Sequence, residues 1–169
     1  AVQLIKRYRD IYCDKNGTEP VRSIVLCTLM GYISSDFSNE ISIMMDFCKF
    51  VNRKIQASNG KPFEVKNPVI DEVLTEKWEE DEQNYTDFVN MMEALTEDLN
   101  KLNSDATNAS VIKQLQAMFG ENITNDAVKK NAEKLNKARL AGTVTVGATG
   151  ILNATKAVAA VKKNTFYGE

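Results

Sequence analysis

Across most of residues 1–140 apolar side chains return at intervals of three and four, a spacing that builds helices packed through one face. The pattern is cleanest in Ile41, Met44, Met45, Cys48, Val51 and Ile55, and again in Tyr85, Phe88, Met91, Met92, Leu95, Leu99 and Leu102. A shorter version at the start uses Val2, Ile5, Tyr8 or Arg9, and Tyr12, and another uses Val111, Leu115, Met118 and Phe119, with Gly120 as its stop. Ile24, Val25, Leu26, Leu29 and Met30 are apolar nearly all round, which predicts a central, buried helix, and Pro20 suits its first position. A last helical run, about 124–140, carries Lys129, Lys130, Lys134, Lys137 and Arg139. The expected fold is all-α, a multi-helix bundle. The methionines of the 41–55 helix read as core packing, with a binding groove as the alternative.

Turn chemistry separates these runs. Asp14–Glu19 (DKNGTE), Gly31–Asn39 (GYISSDFSN), Ser58–Asn67 (SNGKPFEVKN) and the NSDATN segment after Leu102 each break the periodicity with Gly, Pro, Asn or Ser. Asn67–Trp78 (NPVIDEVLTEKW) holds the single tryptophan and is expected to wrap a helix surface with Val69, Leu74 and Trp78 turned inward. From Ala141 to Ala160 the composition shifts to Gly, Ala, Thr and Val, too small to build much core, which reads as a flexible tail. The expected organisation is therefore a helical lobe at 1–140 and a small-residue-rich tail at 141–169, whose last residues, KKNTFYGE, read as a short peptide to be recognised.

Several functions are excluded by composition. The chain of 169 residues, long enough for one domain with a proper core, contains no histidine, which removes Ser-His-Asp and Cys-His catalysis and imidazole-dependent zinc sites. A net charge of -2 gives no general attraction to nucleic acid or anionic membrane, so any phosphate recognition must be local. Cys13, Cys27 and Cys48, odd in number and set among apolar residues, read as reduced core residues of a cytoplasmic protein. No run approaches the roughly 20 apolar residues that span a bilayer, and the start has no signal-peptide pattern, so no membrane partner is expected. The Asn-X-Ser/Thr triplets at Asn16, Asn84, Asn108, Asn122 and Asn153 carry little weight without such a signal. Between Asp71 and Asp98 Lys77 is the only cation; this acidic run reads as a solvated face rather than a metal site. Ala1 enters a helical pattern at once, without initiator methionine or cap, as a fragment of a longer chain would.

The strongest candidate site is the opening hairpin, residues 1–30. Lys6 on its first helix and Ser23 at the start of its second can face one small volume, a geometry suited to phosphate. The same residues are equally a solvated lysine and a capping serine, and Lys6, Arg7 and Arg9 equally a solvated basic face. Arg22, beside Ser23, is a candidate from its charge alone.

The order of segments LIKRYRD, PVRSIVLCTL, NPVIDEVLTEKW and the leucine-rich helix leading to LQAMFGE resembles the C-terminal helical lobe of bacterial cGAS/DncV-like nucleotidyltransferases (CD-NTases), over about residues 1–121. The resemblance implies the helical lobe of an enzyme that makes a cyclic oligonucleotide second messenger from nucleoside triphosphates in anti-phage defence. It implies that Lys6 and Ser23 contact the donor triphosphate. It further implies a partner N-terminal catalytic lobe whose Gly-Ser motif and carboxylates hold Mg2+. Neither motif occurs in this chain: Ser34-Ser35-Asp36 lacks the glycine and the acidic partner two residues on. No catalytic residue and no metal ligand is therefore assigned here. A conjugating or regulatory protein acting on the C-terminal tail is a further implied partner. The competing reading is a non-catalytic interaction module that uses its acidic face or its tail.

Overall fold

The computed structural model describes residues 1–33, 39–104, 107–143, 145–146, 152–153 and 159–160. They divide into two compact units, Ala1–Glu121 and Asn122–Glu169.

The first unit is a bundle of six helices: α1 (Val2–Asn16), α2 (Ser23–Gly31), α3 (Glu40–Ala57), α4 (Glu76–Glu80), α5 (Glu82–Asn103) and α6 (Asn108–Phe119). Helix α1 lies against α2, α5 and α6, while α3 packs along α5 and α2 rests on α3. The helix starts follow from local chemistry. The Asn39 side chain accepts the Ile41 N–H at 2.8 Å, Asp81 that of Gln83 at 2.9 Å, and Thr107 that of Ser110 at 3.3 Å, each satisfying a first-turn donor. Helix α1 ends at Gly17, whose left-handed backbone (φ 67°) lets Thr18 N–H reach the Cys13 carbonyl.

The core joins α1, α2, α3, α5 and α6 through Ile5, Leu26, Leu29, Met44, Phe47, Val51, Met92, Leu95, Leu99 and Met118, all essentially sealed from solvent. Met44 is fully buried, so the methionine stripe of α3 is core. Trp78 on α4 anchors a second focus. Its ring lies 4.7 Å from Phe88, 5.2 Å from Tyr85 and 5.4 Å from Phe63, the last edge-on, so three aromatic rings close around one indole.

Three expectations need correction. Helix α2 starts at Ser23, as expected for the candidate serine, rather than at Pro20, and it is not buried all round: Ile24 is 46% exposed, because α1 and α3 cover only one side of it. Within 67–78 Leu74 and Trp78 turn inward, but Val69 is 86% exposed. There the chain doubles back, with Asn67 N–H bonded to the Glu72 carbonyl and Leu74 N–H to the Val65 carbonyl. Asn67 Oδ1 accepts Val69 N–H, which puts Val69 and Ile70 at the tip of the turn. Of the two positions that the periodicity leaves open for the apolar stripe, Tyr8 and Arg9, both are buried, so Arg9 is not on a solvated face.

The second unit contains nearly all of α7 (Glu121–Leu140), whose five basic residues are exposed, and three two-residue strands. These strands, β1 (Thr145–Val146), β2 (Leu152–Asn153) and β3 (Ala159–Ala160), pair antiparallel in the order β2-β1-β3, with Thr145 opposite Asn153 and Ala160. The small-residue composition does not announce this pairing. The Ser34-Ser35-Asp36 segment and the terminal NTFYGE lie outside the described residues.

Trp78→Ala removes the shared member of the aromatic group and is expected to destabilise the protein by about 3–5 kcal/mol, whereas Val69→Ser is expected to stay within about 0.5 kcal/mol; urea unfolding measures both. Stability is also expected to depend on alkaline pH. Burial pushes the Cys48 thiol up to about 11, against an opposing hydrogen bond from Thr96. Burial, then the Asp98 charge and hydrogen bond, raises the Tyr8 phenol well above its usual 10.0. Both groups hold their protons more tightly in the folded state. Their contribution is complete below pH 9 and is lost as pH rises, through Cys48 between 9 and about 11 and through Tyr8 from 10 upward. Thermal melts from pH 8 to 11 should show the decline, with Cys48→Ala flattening its lower part.

Candidate functional site: the α1–α2 hairpin

The hairpin is held by one buried charge. Arg9 sits on the inner side of α1 at 8% exposure, and its guanidinium divides between two tasks. Nε and Nη2 donate to Asp10 Oδ1 at 2.9 and 2.6 Å, while Nη1 donates to the Val21 carbonyl at 2.8 Å and to Ser23 Oγ at 2.9 Å. A single side chain thus fastens the 18–22 connection and the first residue of α2 to α1, with Asp10 balancing its charge. A guanidinium survives burial only when paired and hydrogen-bonded in this way.

Ser23 is the first helical residue of α2, and the cap position falls to Arg22, which makes no side-chain capping bond. The hydroxyl therefore does not cap the helix; it accepts from Arg9 and is otherwise open to solvent. Lys6 is half-buried one turn before Arg9, on the neighbouring part of the same helix face. No hydrogen bond joins Lys6 to Ser23 among the described residues; Ser23 is bonded to Arg9, one helical turn after Lys6.

The other cations nearby are occupied. Arg7 Nε donates to the Phe119 carbonyl at 3.2 Å, at the C-terminal end of α6, beside Gly120 with its positive φ of 91°. Arg22, the candidate from charge alone, reaches across to the Leu74 carbonyl and so ties α2 to the 65–78 segment. Lys6 has no ion pair or side-chain hydrogen bond among the described residues. The periodicity offers Arg9 as one of two inward positions, but it does not show the acceptors on Asp10, Val21 and Ser23 that bury its charge.

Three cavities border α2. One of about 40 Å3, lined in part by Val21, Arg22, Leu74 and Trp78, has room for a few waters. A wider cleft of about 300 Å3, lined by Leu29, Tyr32, Lys54, Glu64, Val65 and Lys66, opens at the far end of the helix, about 9 Å along the axis from Ser23. A third, of about 270 Å3, lies against Cys27, Thr28, Gly31, Tyr32 and Pro68. None of the three is lined by Lys6, which is half-buried, or by Ser23, which is exposed. The described residues also contain no group of three or more His, Cys, Asp or Glu side chains placed to hold a metal ion. Among the same residues no helix is long and apolar enough to cross a membrane.

Residues 1–132 match the family model for the cyclic GMP-AMP synthase C-terminal domain. A curated relative, a c-di-GMP synthase of Roseivirga ehrenbergii, is 32% identical over 182 residues, covering all of this chain and 46% of the relative. The fold matches that of a Bradyrhizobium diazoefficiens CD-NTase, CdnG, solved in complex with GTP, with a TM-score of 0.62 at 21% identity over 78% of this chain and 38% of that one. The bundle thus has the architecture of a nucleotidyltransferase helical lobe. The chain belongs to the family of cyclic GMP-AMP synthase C-terminal domains, the C-terminal lobe of the CD-NTases. It spans just under half the length of the curated relative.

Asp10→Asn leaves the Arg9 charge without its counterion. It is expected to cost about 1–2 kcal/mol of stability, reduced from the fully buried case because Asp10 is half exposed. Glu97→Gln, which breaks the solvated Lys101–Glu97 pair, should change stability by less than about 0.5 kcal/mol in the same unfolding assay.

Proposed function

We propose that this chain is the helical lobe, residues 1–140, of an enzyme that makes a cyclic oligonucleotide second messenger from nucleoside triphosphates, with 141–169 as an appended tail. The family match over 1–132 supports the lobe, and the curated c-di-GMP synthase relative supports the class of product. The GTP complex of the CD-NTase from Bradyrhizobium supports nucleoside triphosphates as ligands. In this reading the N-terminal lobe supplies Mg2+ and the groups that activate the attacking hydroxyl. The setting is cytoplasmic anti-phage defence.

The lobe's own contribution is a contact to the donor triphosphate made by Lys6 and Ser23. The observation that carries this is the distribution of the cations. Arg7, Arg9 and Arg22 are each committed to acceptors within the protein, and Lys6 beside them has none among the described residues. An ammonium half-embedded in the surface and lacking a protein counterion is well placed to meet phosphate oxygens. Ser23 adds a hydroxyl at the exposed start of α2, the helix end where partial positive charge favours an anion.

In the natural full-length protein, Lys6→Ala is expected to weaken apparent nucleoside triphosphate affinity about ten- to a hundredfold, as loss of one charge-assisted contact does, while the melting temperature stays near that of the parent. Equilibrium binding with a non-hydrolysable triphosphate measures this. Unchanged affinity would remove Lys6 from the site.

A further inference from the structure

We infer that Arg9 is a positioning residue for the Ser23 hydroxyl, fixing it as a hydrogen-bond donor toward the ligand. The inference rests on the reading of Ser23 as a triphosphate contact and adds to it a residue that itself touches no phosphate. A guanidinium can only donate hydrogen bonds. In the 2.9 Å contact from Arg9 Nη1, Ser23 Oγ is therefore the acceptor, and the serine proton is directed elsewhere. Among the described residues no protein group accepts that proton, and Ser23 is exposed, so it points to solvent or to a ligand oxygen. Accepting from a cation also polarises the O–H and makes it a stronger donor.

Position is fixed along with polarity. The same Nη1 is held by the Val21 carbonyl at 2.8 Å, and Asp10 Oδ1 holds Nε and Nη2 from the opposite side. The guanidinium plane is thus set by three acceptors, of which Ser23 is one, and the hydroxyl inherits that geometry. Asp10 at 2.6 Å balances the charge, and the side chain is buried. Arg9 accordingly does not serve the anion as a second Lys6. A lysine here would keep the charge and lose the fork, since one ammonium does not span Asp10, Val21 and Ser23 in the same geometry.

A double-mutant cycle in the full-length protein tests the assignment, with triphosphate affinity, KM, kcat and melting temperature read for each variant. Arg9→Lys is expected to weaken triphosphate binding about tenfold in the parent, and to add less than about twofold once Ser23→Ala is present. Combined with Lys6→Ala, the same change should add its full effect. Equal losses from Arg9→Lys with and without the Ser23→Ala substitution would overturn the positioning role, because a general structural defect or a direct phosphate contact does not depend on the serine. Arg9→Gln, which retains an amide donor toward Ser23, serves where the lysine variant does not fold and should show the same dependence on Ser23. If Ser23→Ala by itself leaves affinity unchanged, the triphosphate reading of Ser23 fails. A defective Ser23→Ala with additive Arg9 variants overturns the positioning role alone.

Discussion

A buried cation is tolerated only where its N–H groups find acceptors, and in this lobe four hydrogen bonds from Arg9 to Asp10, Val21 and Ser23 meet that need and organise the hairpin. The guanidinium cannot sit against the core unless Val21 and Ser23 are brought to it, so satisfying one charge sets where α2 begins relative to α1. From there the geometry propagates. Helix α2 carries Leu26 and Leu29 into the core, Arg22 reaches the Leu74 carbonyl, and the 65–78 segment is drawn to the side of the bundle where Trp78 can pack. The same arrangement leaves Lys6 on α1 as a neighbour with no partner among the described residues.

Helix α1 therefore does two kinds of work with adjacent residues. Ile5 and Tyr8 face the core, and the Tyr8 hydroxyl donates to Asp98 on α5 at 3.0 Å, fixing α1 against the longest helix of the bundle. Arg7 fastens it to the end of α6 at Phe119. A helix held to α2, α5 and α6 by three different side chains is a rigid mount, and rigidity matters for any group that must meet a ligand in a defined place. The residues nearest Lys6 in the chain are those that immobilise its backbone.

Helices α3, α5 and α6 are the most legible in the sequence because they are marked twice, by periodic apolar residues inside and by capping side chains at Asn39, Asp81 and Thr107 outside. Where only one signal exists, the sequence says less. The apolar run at 24–30 does not reveal which of its faces a neighbour covers, so the exposure of Ile24 depends on where α1 and α3 lie. Val69 has the composition of an inward residue, but the Asx turn at Asn67 places it at a tip. Arg9 is the hardest. Three cations in four residues look alike in a sequence, and what separates them is an acceptor set contributed by residues 10, 21 and 23, two of them beyond α1. Lys6 and Ser23 are singled out in the sequence through the family resemblance, but the hydrogen bond from Arg9 to Ser23 is not legible there.

The fastening of Ser23 also has a thermodynamic consequence. A free serine side chain samples three rotamers, and a hydroxyl that must select one on contact with a ligand loses that freedom at the moment of binding. Here Arg9 restricts it when the chain folds, so the entropy loss is assigned to folding rather than to recognition. On the proposed triphosphate reading, Ser23 then contributes its contact with little further ordering.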